Sequence, residues 1–374
     1  MYCLFGVFAF GQISNAHDSL YRRWLGIDPL VDKVLNNQEE YKLQIQLSIS
    51  QDDNSITTKI GNENYYYPAS LVKFPTVLAV VHKLLEEGLS LDDKIVLDDV
   101  DIKGNKSFIR KTEKGISFKE LIEKALVVSD NDYYNVLYHF IGPAYLNDYL
   151  KKRGFEDVLI YRCFNGCSKE EQLKTAGYSV YSSTDSLILK VNERLLSWEE
   201  ISNKFAYSDD KRVGDRFIKK GKVIMTPYDF NENLEIPINS LHKMMITFIS
   251  DSADLKWNIG ETQRSFVLEK LRQHPADIGE KDYSVEDFKI IGFGNQKMDN
   301  SRFTTYSKIG YSYGFITETA YVVDELSNES FFLTISMYVN SNNTINDGRY
   351  QYNSIATPFM GTLTHIIADQ LIDK

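Results

Sequence analysis

Residues 67–75 read Tyr67-Pro-Ala-Ser70-Leu-Val-Lys73-Phe-Pro75, and the interpretation of the chain turns on them. Ser70 and Lys73 stand three residues apart, followed by an apolar run over 74–85 that Gly88 closes, which predicts a helix from 70 to 87. On a helix that spacing puts both side chains on one face, within reach of each other. A helix start also turns free backbone N–H groups towards Ser70 and favours negative charge there. A serine hydroxyl is a poor nucleophile until a neighbour takes its proton, and a lysine amine can do so once burial or a second cation lowers its pKa. The pattern alone is not specific. It recurs at Ser240-Leu-His-Lys243, where it is read as chance, and an incidental lysine at a helix start is the plain alternative at Ser70.

Working outward, residues 42–50 alternate, with Leu43, Ile45, Leu47 and Ile49 on one side and Gln44, Gln46 and Ser48 on the other. That is the pattern of a half-buried strand. A turn cluster at 51–55 lets 56–60 return as the second arm of a hairpin. Before it, residues 19–38 carry helical spacing. After it, 117–128, 132–140, 143–153, 241–249 and 263–273 also read as helices. Strand composition returns at 302–306, 315–324 and 331–340, and a last helix is expected over 352–371. The order predicts an α+β fold. One antiparallel sheet, drawn from 40–62 and 288–374 and flanked by helices, would sit beside a helical lobe at 63–287, all in one domain over 17–374. The stretch 160–235 mixes turn clusters, charges and short apolar runs and yields no assignment.

Composition narrows the function. The 374 residues are 43% hydrophobic and 25% charged, ordinary globular usage that excludes disorder as the main state. The net charge of −10 argues against nucleic-acid binding, which needs clustered Lys and Arg. The six histidines (17, 82, 139, 242, 274 and 365) show no i,i+4 pairing and no cysteine at ligand spacing, so neither metal nor cofactor is expected. Gly292-Phe-Gly294 lacks the third glycine and following helix of a dinucleotide loop, and no Gly-x-Ser-x-Gly elbow is present. Within residues 1–16, Tyr2 to Phe10 form an apolar stretch of the length of a signal-peptide core, without a preceding Lys or Arg. Export to a periplasmic or extracellular space is the expectation and a buried strand the alternative. No later segment reads as a membrane span, and a monomer is expected. Cys163 and Cys167 flank Phe-Asn-Gly, a tight-turn sequence compatible with a small-loop disulfide or with two free thiols.

Two further motifs complete the chemistry. Val-Val-Ser129-Asp130-Asn131 ends an apolar helix, and Tyr-Ser-Lys308-Ile309-Gly310-Tyr311-Ser312 lies on a late strand. Ser-x-x-Lys, then Ser-Asp-Asn about sixty residues on, then Lys-Thr-Gly on a late strand, is the motif set of class A β-lactamases and penicillin-binding proteins. The chain resembles that superfamily, over most of residues 40–374. The resemblance implies that Ser70 is the acylated nucleophile and Lys73 its general base. It implies that Ser129 passes a proton to the departing nitrogen and that Asn131 binds the substrate's side-chain amide. Lys308 would attract the substrate carboxylate and depress the Lys73 pKa. The backbone N–H groups of Ser70 and of Tyr311, the residue after Gly310, would form the oxyanion hole, each such donor worth ~3 kcal/mol. Asp130 would be structural.

The chain departs from the family at two positions. Ile309 stands where the family has a Thr or Ser hydroxyl, and Ser312 is the candidate replacement. The deacylating glutamate of class A enzymes lies in Glu-x-x-Leu-Asn, whose nearest counterpart is Glu170-Glu-Gln-Leu173-Lys174, with a solvated loop as the plain alternative. The span from Asn131 to Lys308 also exceeds what the family needs, so 160–235 is expected to carry an insertion beside the site. The implied substrate is a β-lactam or a cell-wall peptide. The implied activity is β-lactam hydrolysis, with a slowly deacylating D,D-peptidase or transpeptidase and a non-catalytic binding protein as rivals.

Overall fold

The structure, a computed structural model, describes residues 21–51, 54–98, 106–197, 211–230, 234–250, 257–295 and 300–372. The expected leader at 1–16 lies outside these residues. Among the described residues no helix is long and apolar enough to cross a membrane.

The fold is α+β. Its five-stranded antiparallel sheet joins β1 (Gln44–Gln51), β2 (Asn54–Ile60), β3 (Phe303–Ser312), β4 (Phe315–Asp324) and β5 (Glu329–Tyr338). The spatial order is β3-β4-β5-β1-β2. The amino-terminal hairpin therefore docks beside the last strand, with Leu47 opposite Leu333. One face is apolar. Ile45, Leu47, Ile309, Ile316, Leu333 and Ile335 pack on Trp24 and on helices α1 (Pro29–Leu35) and α8 (Thr357–Ile372), which contribute Val31, Leu35, Phe359 and Leu363. Each such side chain contributes roughly 1.5–3 kcal/mol by leaving water.

The other face corrects one expectation. β1 is not half-buried, because Gln46 and Ser48 are only 4% and 3% exposed. They lie against α6 (Ile238–Ile249), where Ser48 Oγ meets His242 Nε2 at 2.8 Å and His242 Nδ1 meets Thr334 Oγ1 at 2.8 Å. Buried polar groups persist when each finds a partner, and this seam of Ser, Thr, Gln and His does so. The helix expected over 19–38 is interrupted. Gly26 turns the chain at φ +81°, and Asp28 then caps α1 by accepting from the N–H groups of Leu30 and Val31, with Pro29 at the first helical position.

The lobe beside the sheet is built from α2 (Lys73–Glu86), α3 (Phe118–Val127), α4 (Asn131–Ile141) and α5 (Pro143–Lys151). They share a core of Phe74, Leu78, Val81, Leu121, Ile122, Leu137, Phe140 and Leu146. The lobe also contains β-structure. Lys94–Asp98, Ile116–Ser117, Gly177–Tyr181 and Leu187–Val191 form a second sheet, and the stretch without a sequence assignment supplies further strands of two to four residues. A last helix of this part, α7 (Glu261–Arg272), packs on α3 and β3.

Candidate active site

Ser70 sits in a tight 3₁₀ turn, Ala69–Val72, that runs directly into α2 at Lys73. Ala69 holds φ +47°, a conformation that costs an L-residue energy and is found where a site requires it. Lys73 is fully buried, and its Nζ donates to Ser70 Oγ at 3.1 Å, Ser129 Oγ at 3.2 Å and Asn131 Oδ1 at 2.7 Å. It also donates to the backbone oxygen of Ser129. Burial first, and the Lys308 cation second, hold the Lys73 amine well below the usual lysine range, against the opposing pull of Asp130 and Asp132.

The Ser129-Asp130-Asn131 turn joins α3 to α4. Asp130 caps α4, its Oδ1 accepting from Asp132 N at 2.8 Å and Tyr133 N at 3.3 Å. Its role is to fix the turn, and Ser129, at φ +53°, presents its hydroxyl to both lysines. Lys308, 1% exposed, donates from Nζ to Ser129 Oγ at 2.9 Å and to Ile309 O at 3.0 Å. Burial, then the neighbouring Lys289 cation, lower its pKa to about 7, with Glu318 opposing.

Strand β3 passes beside the Ser70 turn at Gly310. A Cβ there would stand 2.3 Å from Pro68 O and 2.9 Å from Ser70 N, so the two backbones touch only because residue 310 has no side chain. Tyr311 and Ser312 follow at the rim. Ile309, 1% exposed, points into the apolar layer under the sheet and not into the site.

Ser70 opens onto a cavity of about 280 Å³ lined by Tyr67, Asn131, Arg162, Phe164, Asn165 and Tyr311–Tyr313, among others. Cys163 and Cys167 are joined by a disulfide that closes the loop Phe164-Asn165-Gly166. The loop is tied to α4: Asn135 Nδ2 donates to Phe164 O at 3.1 Å, and Asn131 Nδ2 to Asn165 Oδ1 at 3.3 Å. Phe164 places its ring 5.5 Å from the Lys73 amine.

Ser70, Lys73, Ser129, Asn131, Lys308, Gly310, Tyr311 and Ser312 thus meet in one place. Glu170 does not join them: it is exposed, at the start of the short 3₁₀ turn Glu171–Leu173, and no described Asp or Glu lines the cavity. The sequence reading missed Arg162, Phe164 and Asn165. It also found no cysteine near a histidine, whereas a ring nitrogen of His139 and the two sulfurs lie within 4.8 Å of one another. Their proximity is tertiary, and the sulfurs bond each other.

Comparison with known proteins bears on the fold. Residues 29–196, less than half the chain, match the model of the β-lactamase enzyme family. The β-lactamase BRO-1 of Moraxella catarrhalis is 25% identical over 195 residues, a match covering 49% of this chain and 59% of that protein. The solved structure of the TLA-3 extended-spectrum β-lactamase shares the fold with a TM-score of 0.54 at 14% identity, over 93% of this chain and 100% of that one. A class A β-lactamase from Bacteroides cellulosilyticus gives a TM-score of 0.54 at 13% identity, over 92% and 98%. At these identities the structural likeness speaks for the fold.

Proposed function

We propose, from the premise that the chain is a divergent member of the β-lactamase and penicillin-binding superfamily, that it is a serine hydrolase acylated on Ser70 by β-lactam amides. One observation carries the reading: the amine of Lys73 contacts the hydroxyls of both Ser70 and Ser129, while Lys308 contacts Ser129 from the other side.

In this reading the neutral Lys73 amine takes the Ser70 proton as Oγ bonds to the carbonyl carbon. The N–H groups of Ser70 and Tyr311 hold the oxyanion. As the amide C–N bond breaks, Ser129 gives its proton to the departing nitrogen and is reprotonated from Lys73. Lys308 supplies positive charge for a carboxylate on the departing side. Hydrolysis then needs a base to activate water. The absence of an acid among the described lining residues favours a second reading of the same machinery, a cell-wall peptidase whose acyl-enzyme turns over slowly. The disulfide supports placing the chain in an oxidising, extracytoplasmic space.

The test is to mix the protein with a penicillin and follow intact mass, alongside turnover of a chromogenic cephalosporin. Rapid turnover supports β-lactam hydrolysis, and a persistent adduct the peptidase. Both signals must vanish in Ser70→Ala. Neither signal in the parent chain leaves only a binding protein.

A further inference from the structure

The Ser70 cavity carries a cation that the reaction above does not use. Arg162 lines it beside Tyr67, Phe164 and Tyr313. Its cation opposes the burial that raises the Tyr67 pKa, and its Nε is buried with no hydrogen-bond partner. Among the described residues no carboxylate pairs with it. A charge taken out of water is ordinarily paired, and the planar guanidinium fork fits a carboxylate with two parallel hydrogen bonds. The residue is held in place from its main chain: the Tyr134 hydroxyl donates to Arg162 O at 2.8 Å, and the disulfide-closed loop begins at the next residue.

The position tells which part of a substrate the cation meets. Ser129 and Lys308 are not among the residues lining this cavity, whereas Asn131 and Arg162 are. The ring nitrogen, which stays tethered to the acyl group in a cyclic amide, turns towards Ser129, so the cavity receives the acyl side chain on the opposite side of the carbonyl. We propose that Arg162, beside Tyr67, selects acyl donors whose acyl side chain, on the side of the carbonyl away from the amide nitrogen, bears a carboxylate. The inference rests on the reading that Ser70 is acylated, and it assigns that site a substrate class.

Its test separates the two claims. The Ser70→Ala chain, which cannot be acylated, is titrated calorimetrically with two penicillins that differ in one feature: a benzyl side chain, with or without an α-carboxylate. The carboxylated compound should bind about tenfold more tightly, in line with a hydrogen bond to a charged group. That preference should weaken as salt is raised and fall to below about twofold in Ser70→Ala/Arg162→Gln. Arg162→Lys, which keeps the charge without the fork, should restore part of it. Equal affinity for the two compounds, no measurable binding of either, or a preference that survives Arg162→Gln overturns the inference. A preference in Ser70→Ala without any adduct on the parent chain overturns the acylation reading instead and leaves an anion-selecting binding site.

Discussion

Lys308 Nζ lies 2.9 Å from Ser129 Oγ, across 179 positions of sequence. The contact brings a second amine beside Lys73 in a site without water-exposed surface on either lysine. Two buried ammonium groups repel, and each is further penalised by desolvation. The amines are therefore driven to divide the labour, one neutral and able to accept a proton, the other charged.

That division predicts a pH profile. Lys308, lowered to about 7, is cationic below that pH and loses its charge as pH rises through it. Lys73 is held well below the ordinary lysine range by burial and then by the Lys308 cation, which favours its base form. Acylation rates measured over roughly pH 5 to 9 should fall on the alkaline side as Lys308 deprotonates. In Lys308→Arg, which stays charged, the falling limb should move up by more than about one pH unit. An unchanged limb would reassign it to another group.

Removing the base gives a second outcome. Lys73→Met should slow adduct formation by about 10²–10⁴-fold, the usual contribution of a positioned proton acceptor. It replaces a desolvated amine with an apolar side chain, so the variant should melt at or above the parent's temperature by calorimetry. A lower melting temperature would mean that the hydrogen bonds of Lys73 stabilise more than its burial costs.

The Cys163–Cys167 disulfide closes a very short loop. Chain-entropy reasoning gives about 2 kcal/mol for a loop of this size. The paired Ser variant should lose that much in denaturant unfolding. Phe164 and Asn165 would then be less well held against Lys73 and Asn131, so KM should rise while kcat changes less.

His242 should make the protein acid-sensitive. Burial, with a lesser push from Lys59, lowers its pKa to about 3 from an ordinary 6.5. The folded state binds this proton less readily than the unfolded chain, so its contribution is intact above about pH 6.5. It declines by up to about 1.4 kcal/mol per pH unit as pH falls from there towards 3. His242→Gln, which can still bond Ser48 or Thr334, should flatten that slope in pH-dependent unfolding.

Particular residues show what could be read from the sequence. Ser70 with Lys73, and Ser129 with Asn131, are legible because a helical turn and a capped turn fix short-range geometry, and Lys308 because it completes the three-motif set with them. The first strand is legible from alternation and the late strands from their β-branched and aromatic composition between turn residues. Gln46 and Ser48 are not, since a polar face pressed on a polar helix face has the same pattern as one turned to water. Arg162, Phe164 and Asn165 were missed because their loop is placed by Asn135, Tyr134 and a disulfide, none of which has a periodicity. Only its spacing to Leu173 points to Glu170. Leu173 does turn inward, at 2% exposed, but the carboxylate three residues earlier faces solvent.

The missing side chain at residue 310 decides what the nucleophile is anchored to. Because β3 and the Ser70 turn meet backbone to backbone there, the serine inherits the stiffness of the sheet rather than the mobility of the lobe that supplies its helix. Damage to strand pairing at the adjoining β3–β4 bend, around Ser312 and Phe315, will therefore register first as lost reactivity, before any change in melting behaviour.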